Sequence, residues 1–322
     1  MSKLSIVIPV YFNAPSLPEL HSRIRALVEK DRGLELEIIF VDDGSGDDSF
    51  VVIRQLAAAD PQVVGIRLSR NFGSFNAILA GLIHATGDCV AIISADLQDP
   101  PELISDMVDH WRKGVKVVMA VRERREENAL KVLCARIYYY FFRIMINKDM
   151  PIGGFDFVLI DRLVANALCA MREKNTTLMG LILWAGFSRE MLYYVRRERK
   201  HGTSRWTIGK KIDYFIDSFL SFSKTPLRFF SLLGLSASAF ALFGIIYVIV
   251  ASAWGLMDVA GWPSLMVVTL LFFGITLSSV GIIGEYVWRA LDESRNRPSF
   301  LVEEELRSAN VTTCKDTCLE RH

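Results

Sequence analysis

The chain has 322 residues, longer than one ordinary domain and suited to a catalytic domain plus a membrane anchor. Its 37 Lys+Arg nearly cancel its 36 Asp+Glu, which speaks against a nucleic-acid binder. Cysteines at 89, 134, 169, 314 and 318 form no C-x-x-C pair and lack histidines at ligand spacing, so they read as reduced, non-metal thiols.

The opening MSKLSIVIPVYF is a short apolar strand broken by Pro9 rather than a signal-peptide core, and the soluble part is expected to stay in the cytoplasm. Apolar strands follow at 4–11, 36–43, 63–69, 89–95 and 116–122, with amphipathic helices near 16–30, 47–58, 74–85 and 101–113. This βαβα rhythm predicts a mostly parallel sheet covered on both faces, with ligands at the carboxyl ends of the strands. A G-x-G-x-x-G after the first strand and a G-x-x-x-x-G-K-[ST] are both missing, which lowers the dinucleotide-oxidoreductase and P-loop readings.

The predicted strand ends carry the chemistry. Pro9 and Tyr11 close the first, Asp42, Asp43, Gly44 and Ser45 the second, Arg70, Asn71, Phe72 and Gly73 the third, and Asp96, Leu97 and Gln98 the fourth. Each has a bland explanation as a turn or helix cap, but in a parallel sheet all four converge on one crevice. A ring, carboxylates and a metal site together suit a nucleoside diphosphate. Its base would stack on Tyr11, its base or ribose would bond Asp42 or Asp43, and a cation at Asp96 would neutralise the pyrophosphate.

Beyond the sheet, the aromatic-dense 136–146 fits lipid, a second subunit or ordinary core equally well. TIGKKIDYFIDSFLSF at 207–222 has Ile208, Ile212, Phe215, Ile216, Phe219 and Leu220 at helical spacing and reads as an interfacial amphipathic helix, ahead of a core-facing helix of the soluble domain. Residues 229–253 and 264–284 carry no charge, and each is long enough to cross a bilayer as a helix. Basic residues crowd before the first span and follow the second, so the positive-inside rule puts both ends in the cytoplasm. The tail after about residue 300 is charged and polar and is expected to be poorly ordered.

The order of IVIPVY, VDDGS, SRNFG, ADLQDPPE, the RKHGTSR segment at 199–205, TPLR at 225–228 and GEYVWR at 284–289 resembles the family 2 glycosyltransferases of GT-A fold. Among these it is similar to the polyprenyl-phosphate glycosyltransferases: bactoprenol glucosyltransferases, undecaprenyl-phosphate formamido-arabinose transferases and dolichyl-phosphate mannose synthases. The resemblance runs from residue 4 to about 298. It implies an α/β GT-A (Rossmann-like, mostly parallel sheet) catalytic domain at 1–206, an interfacial amphipathic helix at 207–226, a two-helix transmembrane domain at 227–291 and a cytoplasmic tail at 292–322. It further implies that Pro9, Tyr11, Asp42, Asp43, Arg70 and Asn71 bind the nucleotide and that Asp96 with Gln98 holds Mg2+ or Mn2+. Arg122, Arg199, Ser204 and Arg205 are the residues expected at the acceptor phosphate, where guanidinium forks match phosphate geometry.

Three departures from the family pattern stand out. Ser94 replaces the acidic residue usual two before Asp96, Asn13 replaces the Glu of Y-N-E, and Gly154 stands where the acidic candidate base is expected, with Asp156 two positions on. The expected activity is inverting transfer of one sugar from a nucleotide sugar, UDP-linked in preference, to undecaprenyl phosphate at the cytoplasmic face of the inner membrane. Asp96 and Asp156 are the expected catalytic residues, within a homo-oligomer that relatives suggest is a tetramer, and no nucleic acid is involved. The alternatives are a glycosyltransferase acting on another lipid or a polysaccharide, and a non-catalytic nucleotide-sugar-binding membrane subunit.

Overall fold

The computed structural model describes residues 2–30, 33–123, 143, 150–151, 154–171, 173, 176–196, 232–236, 239–240, 243, 246–247, 250, 254, 261–307 and 310–313. Its contacts divide the chain into one unit of residues 1–215 and 298–322 and a second of 216–297.

In the first unit, continuous apolar runs become strands buried on both faces, as a parallel sheet under two helical layers requires. β1 (Ser2–Val10) buries Leu4, Ile6, Val7, Ile8 and Val10, and β2 (Leu34–Asp42) is buried from Leu36 to Asp42. β1 pairs in parallel with β2 and with β4 (Cys89–Ile92), and β2 pairs in parallel with β3 (Val63–Leu68). The chain thus runs from β1 outward to β3 on one side and returns to place β4 on the other. The gap between β1 and β4 is the point where such a sheet takes its ligand.

Helices α1 (Leu17–Lys30), α2 (Ser49–Ala59), α3 (Ser74–His84) and α4 (Leu103–Arg112) match the predicted ones to within about two residues. In α1, Leu17, Leu20, Ile24 and Leu27 recur at the spacing of one helical face and are all buried. Gly81 lets α3 lie directly on the sheet, since a Cβ there would meet Val7 Cγ1 at 2.3 Å.

The rest of the sheet adds antiparallel pairs to the mostly parallel arrangement that was expected. Its order is β7-β5-β6-β4-β1-β2-β3-β8-β9, with β5 (Val117–Arg122), β6 (Phe157–Asp161), β7 (Arg189–Tyr194), β8 (Val302–Arg307) and β9 (Asn310–Thr313). β6 lies antiparallel between β4 and β5, and β7 pairs in parallel with β5. α5 (Arg162–Ala170) follows β6, its N-terminus capped by Asp161, and α6 (Leu178–Ala185) is capped by Thr177.

The expectation of a poorly ordered tail fails at β8, which pairs antiparallel with β3, while β9 pairs with β8. Leu306 is buried against the core, and the acidic run that looked like a solvated tail meets basic partners. Arg54 Nη2 lies 2.9 Å from Glu304, Arg67 Nε 3.4 Å from Glu303 and His84 Nε2 3.6 Å from Glu305.

In the second unit, α7 (Trp262–Ser294) is a 33-residue helix whose part from Leu271 to Ser294 is long and apolar enough to cross a membrane, with none of its apolar window buried. Leu271, Phe273, Leu277, Val280 and Ile283 are all exposed. The second expected span, 264–284, lies within it. Of the first, 229–253, the described positions 232–236, 239–240, 243, 246–247 and 250 are helical, and the others lie outside the described residues. The predicted interfacial helix at 207–222 also lies outside them, as does 136–146 except for Arg143.

Candidate active site

At the end of β1, Pro9 stands beyond the last pairing with β4, where a missing N–H costs no ladder bond on that side. The chain then turns at Phe12, which takes φ 57°, and Phe12 N and Asn13 N donate to Ser45 Oγ (3.1 Å) and Ser49 Oγ (3.0 Å). This turn presents Tyr11, whose ring packs edge-on against Phe12 at 4.7 Å. Ser16 Oγ donates to Ala95 O at 2.6 Å and so ties the turn to the end of β4.

The two aspartates closing β2 have different duties. Asp42 is fully buried, accepts from Ser45 N at 3.3 Å and lies 3.8 Å from Arg67 Nε; burial pushes its carboxyl above the usual range. Asp43 accepts from Phe72 N at 2.7 Å and Gly73 N at 2.9 Å, so both its oxygens shape the loop after β3. Gly44, at φ 66°, lets the two turns touch: a Cβ there would lie 2.5 Å from the Arg70 carbonyl carbon. Arg70 and Asn71 are exposed on that loop, with the Arg70 guanidinium 4.7 Å above the Phe72 ring. Asp42, Asp43, Arg70 and Asn71 are therefore neighbours, with Asp43 acting through the backbone of the loop.

Past β4 the chain bends through Leu97, a buried residue at φ 59°, a conformation that costs energy for any residue with a Cβ. The bend gathers Ser94, Asp96 and Asp99. Ser94 Oγ lies 2.8 Å from Asp96 Oδ1 and 2.9 Å from Asp99 Oδ2, and Gln98 N donates to Asp96 Oδ1 at 3.2 Å. Gln98 thus meets Asp96 through its main chain, with its own side chain half-buried.

Facing this loop are the ends of β5 and β7. Tyr194 donates its hydroxyl to Asp99 Oδ1, and Arg196 places Nε 3.3 Å from the same oxygen and Nη2 4.0 Å from Asp96 Oδ2. Burial and the charge of Asp99 push the Tyr194 phenol well above its ordinary value, so it remains a donor. Arg122 forms an ion pair with Asp156, which is more than half exposed. Burial disfavours the Arg122 charge, but Asp156, Asp99 and Tyr194 outweigh it and hold the guanidinium protonated. Its Nε is buried without a hydrogen-bond partner.

The site thus unites Pro9, Tyr11, Asp42, Asp43, Arg70 and Asn71 on one side, Asp96 and Gln98 at the switch point, and Arg122 with Asp156 opposite. Arg199, Ser204 and Arg205 lie outside the described residues. The sequence reading missed Asp99, Tyr194 and Arg196. Asp99 was visible within SADLQDPPE, but its partners come from β7, which no sequence pattern had announced.

Oxygen donors suit a hard divalent cation, and Asp96, the Ser94 hydroxyl and Gln98 supply them here. Among the described residues there is no cluster of three or more His, Cys, Asp or Glu able to hold a metal, so any cation at Asp96 needs oxygens from its substrate and water. The residues present fit a cation shared with a diphosphate.

Residues 5–168 match the family model described as glycosyl transferase family 2. The chain is 36% identical over 313 residues to the uncharacterized glycosyltransferase YkcC of Bacillus subtilis (strain 168), covering 97% of each. It is 34% identical over 305 residues to the bactoprenol glucosyl transferase of Shigella phage SfV, covering 94% of this chain and 99% of that one. Among solved structures, the mannosyltransferase PcManGT from Pyrobaculum calidifontis, in complex with GDP-Man and Mn2+, shares the fold at a TM-score of 0.50 and 17% identity, covering 92% of this chain and 88% of that one.

Proposed function

The chain belongs to glycosyl transferase family 2, and we propose that it transfers a single sugar, with inversion, from a UDP-sugar to undecaprenyl phosphate at the cytoplasmic face of the inner membrane. The observation that carries this reading is the meeting of two opposite chemistries at one switch point: oxygen donors on the β4 loop, and the buried guanidinium of Arg122 across from them. Similarity along nearly the whole chain to a bactoprenol glucosyl transferase supports the lipid phosphate as acceptor, and the apolar α7 supports a membrane setting.

In this reading Tyr11, Asp42, Arg70 and Asn71 hold the nucleoside and its phosphates, while Asp43 and Gly44 keep the loops in register. Mg2+ or Mn2+, held by Asp96 with Ser94 and Gln98 beside it, would supply Lewis-acid stabilisation of the departing diphosphate. Arg122 orients the acceptor phosphate through charge-assisted hydrogen bonds and draws it out of water. A phosphate monoester has a second pKa near ~6 and is already mostly dianionic at neutral pH, so it needs no general base to attack the anomeric carbon. Asp156 then acts by fixing Arg122, consistent with its ion pair. The enzyme would be a multi-pass homo-oligomer with both termini cytoplasmic.

The test is to incubate the detergent-solubilised chain with undecaprenyl phosphate, Mg2+ or Mn2+ and a panel of nucleotide sugars, and to follow the lipid by mass spectrometry. The expected result is a one-sugar mass increase with one donor. Binding of UDP without transfer from any donor would instead favour a nucleotide-sugar-binding subunit.

A further inference from the structure

Ser94 carries one hydroxyl proton, yet two carboxylate oxygens stand within hydrogen-bonding reach of its Oγ: Asp96 Oδ1 at 2.8 Å and Asp99 Oδ2 at 2.9 Å. One proton serves one acceptor at a time, while the hydroxyl oxygen keeps two lone pairs for other use. The two acceptors differ. Asp96 Oδ1 also receives Gln98 N, whereas Ser94 is the hydrogen-bond donor that the described residues place at Asp99 Oδ2. The Asp99 carboxylate is fully buried, where an oxygen left without a donor costs most.

We infer that Asp99 is a positioning residue: it accepts the hydrogen bond of the Ser94 hydroxyl and thereby turns the lone pairs of the still-protonated Ser94 oxygen into a neutral second ligand, beside Asp96, for a divalent cation. The 2.8 Å between Ser94 Oγ and Asp96 Oδ1 is close to the ~3 Å edge between adjacent ligands of an octahedral shell with bonds of ~2.1 Å. Asp99 is itself anchored from the end of β7, where Tyr194 donates to Oδ1 and Arg196 just beyond the strand forms an ion pair with the same oxygen, leaving Oδ2 turned to Ser94. The β4 loop thus compensates for a serine two residues before Asp96 with a carboxylate three residues after it. This inference rests on the metal-dependent reading of the site.

The Asp99→Asn variant isolates the effect. Tyr194 donates to the amide oxygen, so the amide NH2 faces Ser94, donates to it and sends the serine proton toward Asp96. Mn2+ is titrated into the full-length, detergent-solubilised protein with saturating UDP, without sugar donor or lipid, and bound Mn2+ is read by electron paramagnetic resonance. The affinity is expected to fall about tenfold or more in Asp99→Asn, the scale of losing an outer partner of a metal ligand. Ser94→Ala, which leaves Asp99 held by Tyr194 and Arg196, is expected to lose as much. Adding Asp99→Asn to Ser94→Ala should change the affinity by less than about twofold, because both act through one oxygen. Wild-type affinity in either single variant, or independent losses that multiply in the double variant, overturns the inference. A wild-type protein that binds UDP but no Mn2+ overturns the metal-dependent reading beneath it, and the two failures are thereby distinguished.

Discussion

The two sides of the crevice are built differently. On the β1–β3 side the fold is made by short-range devices: turns at Phe12 and Gly44, and the Asp43 carboxylate gripping two backbone N–H groups of the next loop. On the β5–β7 side it is made by an ion-pair network: Arg122 with the exposed Asp156, and Tyr194 and Arg196 reaching across to the buried Asp99 of the β4 loop. Backbone clamps hold shape whatever is bound, whereas a buried charge network responds to each charge added or removed. Donor recognition should therefore tolerate changes opposite it, and acceptor recognition should not.

The largest effect is expected where the two sides meet. Asp96→Asn should lower kcat on the order of 10²–10³-fold, the usual cost of one electrostatic stabiliser, while UDP still binds. Turnover and UDP binding measured on the same preparation check this, and equal losses in both would blur the division between the sides. Next, Arg122→Gln leaves Asp156 without its ion-pair partner and removes a cation near Asp99, and should cost about 3 kcal/mol in kcat/KM for the lipid phosphate, with the KM for the nucleotide sugar changed far less. Steady-state kinetics with each substrate varied in turn read the split.

These two expectations draw on unequal knowledge of the chain. The strands and helices up to residue 122 were legible because apolar runs and helical spacing are local, and the chemistry at their ends could be read from single motifs. Asp42 and Asp96 are where those motifs put them. Asp43 was legible as a residue but not in its duty, because its partners, Phe72 and Gly73, sit on another loop. Asp99, Tyr194 and Arg196 were invisible as a group, since β6 enters the sheet antiparallel and only then does β7 reach the site. β8 was hidden for a related reason: its charges describe a solvated tail until Arg54, Arg67 and His84 are brought opposite.

Smaller effects sharpen the same contrast away from the crevice. Gly81→Ala should destabilise the fold by about 1–3 kcal/mol through the contact with Val7, as measured by denaturant unfolding of the detergent-solubilised protein. Least is expected from the β8 contact. The nearby His84 imidazole, joined by Arg307 against an opposing burial effect, lowers Glu305 from 4.5 to about 2. A carboxylate lowered in the folded state contributes stability above its unfolded value and loses it as pH falls. That contribution is complete above about 4.5 and fades toward about 2, so Glu305→Gln should flatten the pH dependence of unfolding within that window.

The claim that the β5–β7 side exists to hold a phosphate is tested most directly by offering the enzyme two acceptors that differ only there. Undecaprenyl phosphate and the unphosphorylated undecaprenol would be incubated with the active nucleotide sugar, and both lipids weighed by mass spectrometry. The account predicts a single sugar added to the phosphate and none to the alcohol. Equal transfer to the alcohol, or repeated additions to either lipid, would contradict it.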